Sequence, residues 1–220
     1  MRMLCLAAAM LLSAASGGMQ TTGPQSTPPA HRPASTPYAG DLGIFEEPGR
    51  DTRLQINRVM EVLHIGPGST VADIGAGGGW FSVRAARKVA PGGHVLAEDI
   101  NPAYLQSIRE RAKRENLNNI QTILGKQEDP KLPANSLDAA LMLKVYHEIA
   151  WPPPLLIGLR VAMRQGARLG IIDRNGNGQN HGLDEKIVRE EVEKAGFKLV
   201  ARYDFTKADG QDYFLVFEKK

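Results

Sequence analysis

An acid followed by glycines at alternate positions, Asp73-Ile74-Gly75-Ala76-Gly77-Gly78-Gly79, separates a short apolar run from an amphipathic stretch that begins at Trp80. Glycine lets the backbone bend sharply there and approach a ligand closely, and a helix after the bend would present unpaired N–H groups. A cofactor is the natural occupant of such a turn. A dinucleotide fingerprint needs glycine three places after Gly77, where Trp80 stands. The Asp73 carboxylate would also repel a pyrophosphate, whereas it would attract an ammonium group, so the loop suits a nucleoside carrying an amino-acid tail. Asp99 closes the next apolar run, where a carboxylate commonly accepts both hydroxyls of a ribose. Strand alternation points its neighbour Glu98 the other way.

Groups able to move a proton cluster further on. Lys144, Tyr146, His147 and Glu148 follow one apolar run, and Asp173 and Asn175 follow the next. His147 is the leading candidate for a general base, because an unperturbed imidazole titrates near working pH. The competing reading makes it a histidine that caps the next helix or packs on a ribose. Tyr146 is a candidate wall of the substrate pocket. Lys144 is harder to place, since a cation suits this position only beside Glu148 or an anionic substrate.

The elements that must position these residues alternate in type. Apolar runs at Thr70–Ile74, His94–Asp99, Ile120–Leu124, Leu137–Leu143 and residues 168–173 read as strands. Helical stretches at Trp80–Val89, residues 102–116 and residues 153–163 separate most of them, long enough for parallel crossovers. Ile56, Val59, Met60 and Leu63 mark an amphipathic helix before the first strand. Residues 183–195 read as a helix with Asp184 as N-cap and Gly196 in the left-handed position beyond it. Strands at residues 198–204 and 212–218 follow, joined by a link containing Asp209-Gly210, so short that the pair must be antiparallel. The expected fold is α/β: a three-layer sandwich around a seven-stranded, mostly parallel sheet that ends in an antiparallel hairpin.

Composition bounds the rest. The 220 residues are 42% apolar, enough for one domain with a real core. Arg2 and Arg32, with no acid among residues 1–37, account for two of the three net positive charges. The remainder has no electrostatic footprint for nucleic acid. Arg2, an apolar run from Met3 to Ala15 and small residues to Gly18 have the form of a secretory signal peptide over residues 1–18, implying a periplasmic or secreted protein. A start codon placed too far upstream is the competing explanation and would leave the protein cytoplasmic. The run falls short of the ~20 residues a spanning helix needs, so no stable span is expected after cleavage. Residues 19–40, rich in Pro, Ser and Thr, read as a disordered tether before a domain at 41–220. The only cysteine, Cys5, lies in the leader.

The Asp73-x-Gly75-x-Gly77-x-Gly79 loop, the strand end Val95-Leu96-Ala97-Glu98-Asp99-Ile100 and the Leu132-Pro133-x-x-Ser136-Leu137-Asp138 segment resemble, in order, the motifs of class I S-adenosylmethionine-dependent methyltransferases. Within that class the chain is similar to exported bacterial methyltransferase-domain proteins with a Phe-x-x-Pro-x-Arg segment, here Phe45 to Arg50, and a Tyr-His pair after strand four. The resemblance implies S-adenosyl-L-methionine as cofactor. It implies that Asp73, Gly75, Ala76, Gly77 and Gly79 surround the methionine end, Asp99 and Ile100 the ribose, and Gly125, Lys126, Gln127 and Glu128 the adenine, with Lys144 nearby. It also implies methyl transfer to a small or lipophilic acceptor, in a pocket formed by residues 45–55, 146–154 and 174–181. Arg164-Gln165-Gly166-Ala167 replaces the usual Pro-Gly-Gly turn before strand five.

Metal-dependent relatives want an acid at the end of strand four and an adjacent Asp-Asn pair after strand five. Here the strand ends in Leu143-Lys144, and Arg174 separates Asp173 from Asn175, so no metal is expected. The Asn-Pro-Pro-Tyr loop of base methylation is likewise missing. A cofactor-binding scaffold without turnover is the alternative from another class, and a nicotinamide oxidoreductase is disfavoured by Asp73 and Trp80.

Overall fold

The computed structural model describes residues 31–206 and 211–220. One sheet runs in the order β3-β2-β1-β4-β5-β7-β6, where β1 is Thr70–Ile74, β2 His94–Asp99, β3 Ile120–Leu124, β4 Leu137–Leu143, β5 Met163–Arg174, β6 Phe197–Tyr203 and β7 Asp212–Lys219. Strands β1 to β5 pair in parallel, and β7 lies antiparallel between β5 and β6. The expected Asp209-Gly210 turn, the leader and residues 19–30 of the expected tether lie outside the described residues. Among the described residues no helix is long and apolar enough to cross a membrane.

Period-two alternation in the central strands divides the core. Val71, Ala139 and Leu141 face one cluster with α2 (Ile56–Val62) and α3 (Trp80–Val89). Ala72, Ala140 and Met142 face the other with α5 (Pro152–Ala162) and α6 (Glu185–Lys194). Strands covered on both faces must read as continuous apolar runs, which is why their bounds are visible in the sequence. The short α1 (Arg50–Leu54) precedes α2, and α4 (Pro102–Arg114) packs Leu105 and Ile108 over Ala97 of β2.

Local chemistry sets the helix ends. Asn101 Oδ1 accepts from Ala103 N–H at 3.0 Å and Pro102 opens α4. Asp184 Oδ1 accepts from Lys186 N–H at 2.8 Å, and Gly196 follows α6 at φ +92°. Strand β5 begins earlier than expected, because Met163 already pairs with Leu137 and the ladder then resumes at Arg168 opposite Ala139. The four residues between, including Gly166 at φ +78°, form a bulge in place of the expected turn.

Residues 31–40 depart from the expected disorder. Arg32 N–H donates to the Ala150 carbonyl at 3.1 Å and Ser35 N–H to the His147 carbonyl at 3.0 Å. The Arg32 guanidinium pairs with Glu191 at 3.0 Å and donates to the Tyr146 carbonyl at 2.8 Å. Disorder was inferred from a shortage of large apolar side chains, but this segment docks through polar bonds. A single residue, Arg32, reaches both the loop after β4 and α6.

Two leucines in strands test the layering. Leu141 in the central strand is fully buried, whereas Leu124 at the end of edge strand β3 is 55% exposed. Leu141→Ala should cost about 2–5 kcal/mol in urea unfolding and Leu124→Ala about 0.5 kcal/mol or less.

Candidate active site

Ligand sites in open α/β sheets form at the carboxyl ends of the strands where strand order reverses, here between β1 and β4. A cavity of about 690 Å³ opens there, within the range of about 300–1,000 Å³ usual for small-molecule sites. Its floor is the loop after β1, whose Gly75, Gly77 and Gly79 have φ of +65°, +52° and +74°. A Cβ on Gly75 would lie 2.5 Å from Val145 Cγ2, so both conformation and space exclude a side chain. Gly75, Ala76 and Gly77 line the cavity. Gly79 does not: it caps α3, and a Cβ there would meet Ile108 at 3.0 Å.

Two neighbouring acids hold this loop. Asp99 Oδ2 accepts from Gly77 N–H and Oδ1 from Asn101 N–H, both at 2.8 Å. Glu98 Oε2 accepts from Gly75 N–H at 3.4 Å, and its other oxygen lies so close to Gly125 that a Cβ on that glycine would overlap it. Both acids line the cavity, which corrects the expectation that Glu98 points away. Alternation does send the two side chains to opposite sides of β2, but at the strand end the loops after β1 and β3 flank it, so both sides border the crevice.

Asp73 also lines the cavity, although its carboxylate is only 2% exposed and accepts from Ser82 Oγ at 2.6 Å, in the first turn of α3. Burial pushes Asp73 up to about 6 and Glu98 up to about 8, and it raises Asp99 as well. The guanidinium of Arg50 lies 4.3 Å from the Trp80 ring centroid and donates to the Phe45 carbonyl at 2.7 Å; burial lowers its pKa to about 10. Ile100, Lys126, Gln127 and Glu128 complete this end of the wall.

After β4 the chain makes a single 3₁₀ turn, Tyr146–Glu148. Three residues per turn send three successive side chains in three directions. Tyr146 is fully buried and its hydroxyl donates to Glu191 at 2.8 Å, with burial pushing its pKa far up. His147, 3% exposed, turns to β5, where Nδ1 lies 2.8 Å from Asp173 Oδ1. Only Glu148 faces the cavity, its Oε1 accepting from Tyr38 N–H at 3.2 Å. The candidate base His147 and the candidate wall Tyr146 are therefore both corrected, since neither lines the cavity. Lys144 does line it, at φ +61°, but its ammonium pairs with buried Asp212 on β7 at 2.5 Å. That carboxylate accounts for a cation that had no evident partner in the sequence.

Comparison with known proteins accords with this geometry. Residues 71–166 match a family model described as a methyltransferase domain. An arsenite methyltransferase of Halobacterium salinarum is 32% identical over 77 residues, covering 35% of this chain and 20% of that protein. A nocamycin O-methyltransferase of Saccharothrix syringae is 31% identical over 97 residues, covering 44% of this chain and 35% of that protein. The chain thus spans about a third or less of the length of these curated relatives. The crystal structure of an S-adenosylmethionine-dependent methyltransferase from Aquifex aeolicus superposes with a TM-score of 0.73 at 21% identity, covering 81% of this chain and 98% of that one.

Residues 71–166 thus match a methyltransferase domain, and the sheet shares its fold with a solved S-adenosylmethionine-dependent methyltransferase. The residues of the cavity suit that cofactor. Asp73 and Asp99 offer negative potential to a sulfonium and an ammonium, and the loop glycines leave bare backbone beside them. Of the expected acceptor segments, residues 45–55 supply Phe45, Glu46 and Arg50 to the wall and residues 146–154 supply Glu148 to Trp151, while residues 174–181 supply none. Glu98 and Tyr38 were not among the expected site residues, and Arg50 was expected only as part of the segment 45–55. A charge closing an apolar strand was the available signal for Glu98, and the Phe45 to Arg50 segment for Arg50; nothing local marked Tyr38.

In the methyltransferase domain Gly75→Ala should lower stability by at least about 1–2 kcal/mol, the cost of a left-handed alanine, with displacement of Val145 in addition. Gly78→Ala, outside the left-handed region and in ordinary contact with Leu42, should be neutral or slightly stabilising in the same thermal melts.

The raised pKa of Glu98 means that the folded protein favours its protonated form. Its contribution to stability is fully present below the ordinary glutamate value near 4.5 and is lost as pH rises through about 8. Urea titrations from pH 5 to 9 should show the wild type weakening against Glu98→Gln by on the order of a few kcal/mol. A wild type that gains stability relative to Glu98→Gln as pH rises over this range would contradict the assignment.

Proposed function

We propose that this protein transfers the methyl group of S-adenosylmethionine to a small or lipophilic acceptor bound at the far end of the same cavity. One observation carries the reading: the wall runs without a break from Gly75 and Asp99, past Lys144 and Val145, to Tyr38, Glu148 and Trp151. Cofactor and acceptor ends therefore share one enclosure. When bound, S-adenosylmethionine supplies a methyl group already activated by its sulfonium, so the protein chiefly aligns the acceptor and excludes water.

Asp99 accepts from the ribose while holding Gly77 N–H, and Ile100, with Lys126, Gln127 and Glu128, flanks the adenine. Arg50 is the cation in place for the carboxylate of the amino-acid tail. Asp73, tied to Ser82, acts on the ammonium through its field more than through contact. Residues 31–46 roof the other end with Tyr38 and Phe45, whose rings meet edge to face at 5.2 Å, and Trp151 stands beside them under His31. Aromatic surface at that end favours a lipophilic acceptor. The two named relatives are called after acceptors as unlike as arsenite and nocamycin, so what they share with this chain points to the cofactor half and leaves the acceptor open.

Isothermal titration of the full chain with S-adenosylmethionine should give one site, weakened about 10- to 100-fold by Asp99→Ala, the loss of a charge-assisted hydrogen bond. Below the range where the cofactor amine itself titrates, near pH 8, affinity should rise with pH as Asp73 and Glu98 ionise, and less steeply in Glu98→Gln. No heat at millimolar cofactor would remove the proposal.

A further inference from the structure

His147, Glu148 and His181 serve neither the cofactor loop nor the main core, yet the fold gathers them. Potential ligand atoms of the three lie within 4.8 Å of one another. His147 Nε2 is 3.9 Å from Glu148 Oε1, too long for a hydrogen bond, and the imidazoles of His147 and His181 meet edge to face at 5.6 Å. We propose that these three side chains form a binding site for a divalent transition metal, of the kind that prefers imidazole with one carboxylate.

The surroundings of His147 support this. Nδ1 lies 2.8 and 3.0 Å from the two oxygens of Asp173, which places the proton on Nδ1 and leaves the Nε2 lone pair on the Glu148 side. Asp173 is itself fully buried and held by the backbone N–H groups of His147 and Arg174. A carboxylate behind an imidazole is the arrangement that orients metal-binding histidines and strengthens them as donors. A buried His-Asp pair alone would satisfy the core and explain nothing about His181.

His181 is brought in from a separate loop. Its backbone has φ +51°, unusual for a non-glycine residue, and its N–H donates to Ser35 Oγ at 2.9 Å. Ser35 is buried, donates to the Gly178 carbonyl at 3.2 Å and joins the His147 carbonyl through its own N–H. One serine thus fastens the His181 loop to the turn that carries the other two ligands. His181 is exposed and Glu148 half-buried, so both can close on an ion. Bonds of about 2.0–2.2 Å in a tetrahedral site place donors roughly 3.3 Å apart, a modest contraction from the present spacing.

Two nitrogens and one oxygen suit Zn²⁺ or Fe²⁺ better than Mg²⁺ or Ca²⁺, so the lack of an oxygen cage in the sequence does not bear on this site. Three protein ligands leave a coordination position open. Glu148 lines the acceptor end, so the ion would border that end of the cavity. The site stands on its own geometry; its use in catalysis rests on the methyl-transfer reading. There it would favour an acceptor with an ionisable oxygen, a hydroxyl or an enol, whose proton passes to water.

Titrating the metal-stripped full chain with Zn²⁺ in a calorimeter, and following visible absorption with Co²⁺, should reveal one equivalent in a tetrahedral field. His181→Ala and Glu148→Gln should each weaken Zn²⁺ at least about 100-fold and Asp173→Asn about 10-fold, while His94→Ala, at the amino end of β2, changes nothing. His181→Ala should leave the S-adenosylmethionine titration unchanged. Absence of Zn²⁺ heat, affinity indifferent to His181→Ala, or equal loss in His94→Ala would each overturn the proposal. Zn²⁺ binding that persists where S-adenosylmethionine fails to bind would sustain the metal site and remove the methyl-transfer reading.

Discussion

A backbone that enters the left-handed region three times in five residues cannot join a strand or a helix, and its N–H groups need acceptors from elsewhere. In this protein Asp99 and Glu98, at the end of the adjacent strand, accept from Gly77 and Gly75. The arrangement crowds those carboxyls and Asp73 into one buried corner. Burial raises all three pKa values, so the fold tolerates the crowding by favouring protonated forms. A ligand carrying a sulfonium and an ammonium would favour the ionised forms of these carboxyls, whereas a pyrophosphate would oppose them. The constraint that shapes the loop is thus also the one that selects the cofactor.

A second division of labour falls on one 3₁₀ turn. Tyr146 ties the turn to α6 through Glu191, His147 ties it to β5 through Asp173, and Glu148 is left for the cavity. Arg32 and Ser35 then fasten residues 31–40 to the same turn through the carbonyls of Tyr146 and His147. The segment over this part of the cavity and the wall beside it are therefore one connected structure. A change at His147 or Asp173 would be felt at the cavity without either residue touching what it holds.

Continuous apolar runs with helical stretches between them were enough to predict the sheet, because strands buried on both faces have no freedom in composition. The bounds of β1 to β4, the Asp184 cap and the left-handed Gly196 all follow from residues within one turn of where they act. The glycine loop and Asp99 were legible for the same reason. Compositional reasoning failed at residues 31–40, where the stabilising groups are polar and their partners lie more than 100 positions away.

By itself, then, the amino-acid order determined the layered architecture, the strand sequence and the cofactor loop, since each depends on backbone preference and on burial repeated at short intervals. Only the tertiary structure decided that Glu98 faces the crevice, that Tyr146 and His147 do not, that Lys144 meets Asp212, and that His181 stands beside His147. Past the last bond of a strand ladder a side chain has no periodicity to obey. Its direction is set by whichever distant loop can satisfy its hydrogen bonds, and that partner exists only once the sheet has assembled.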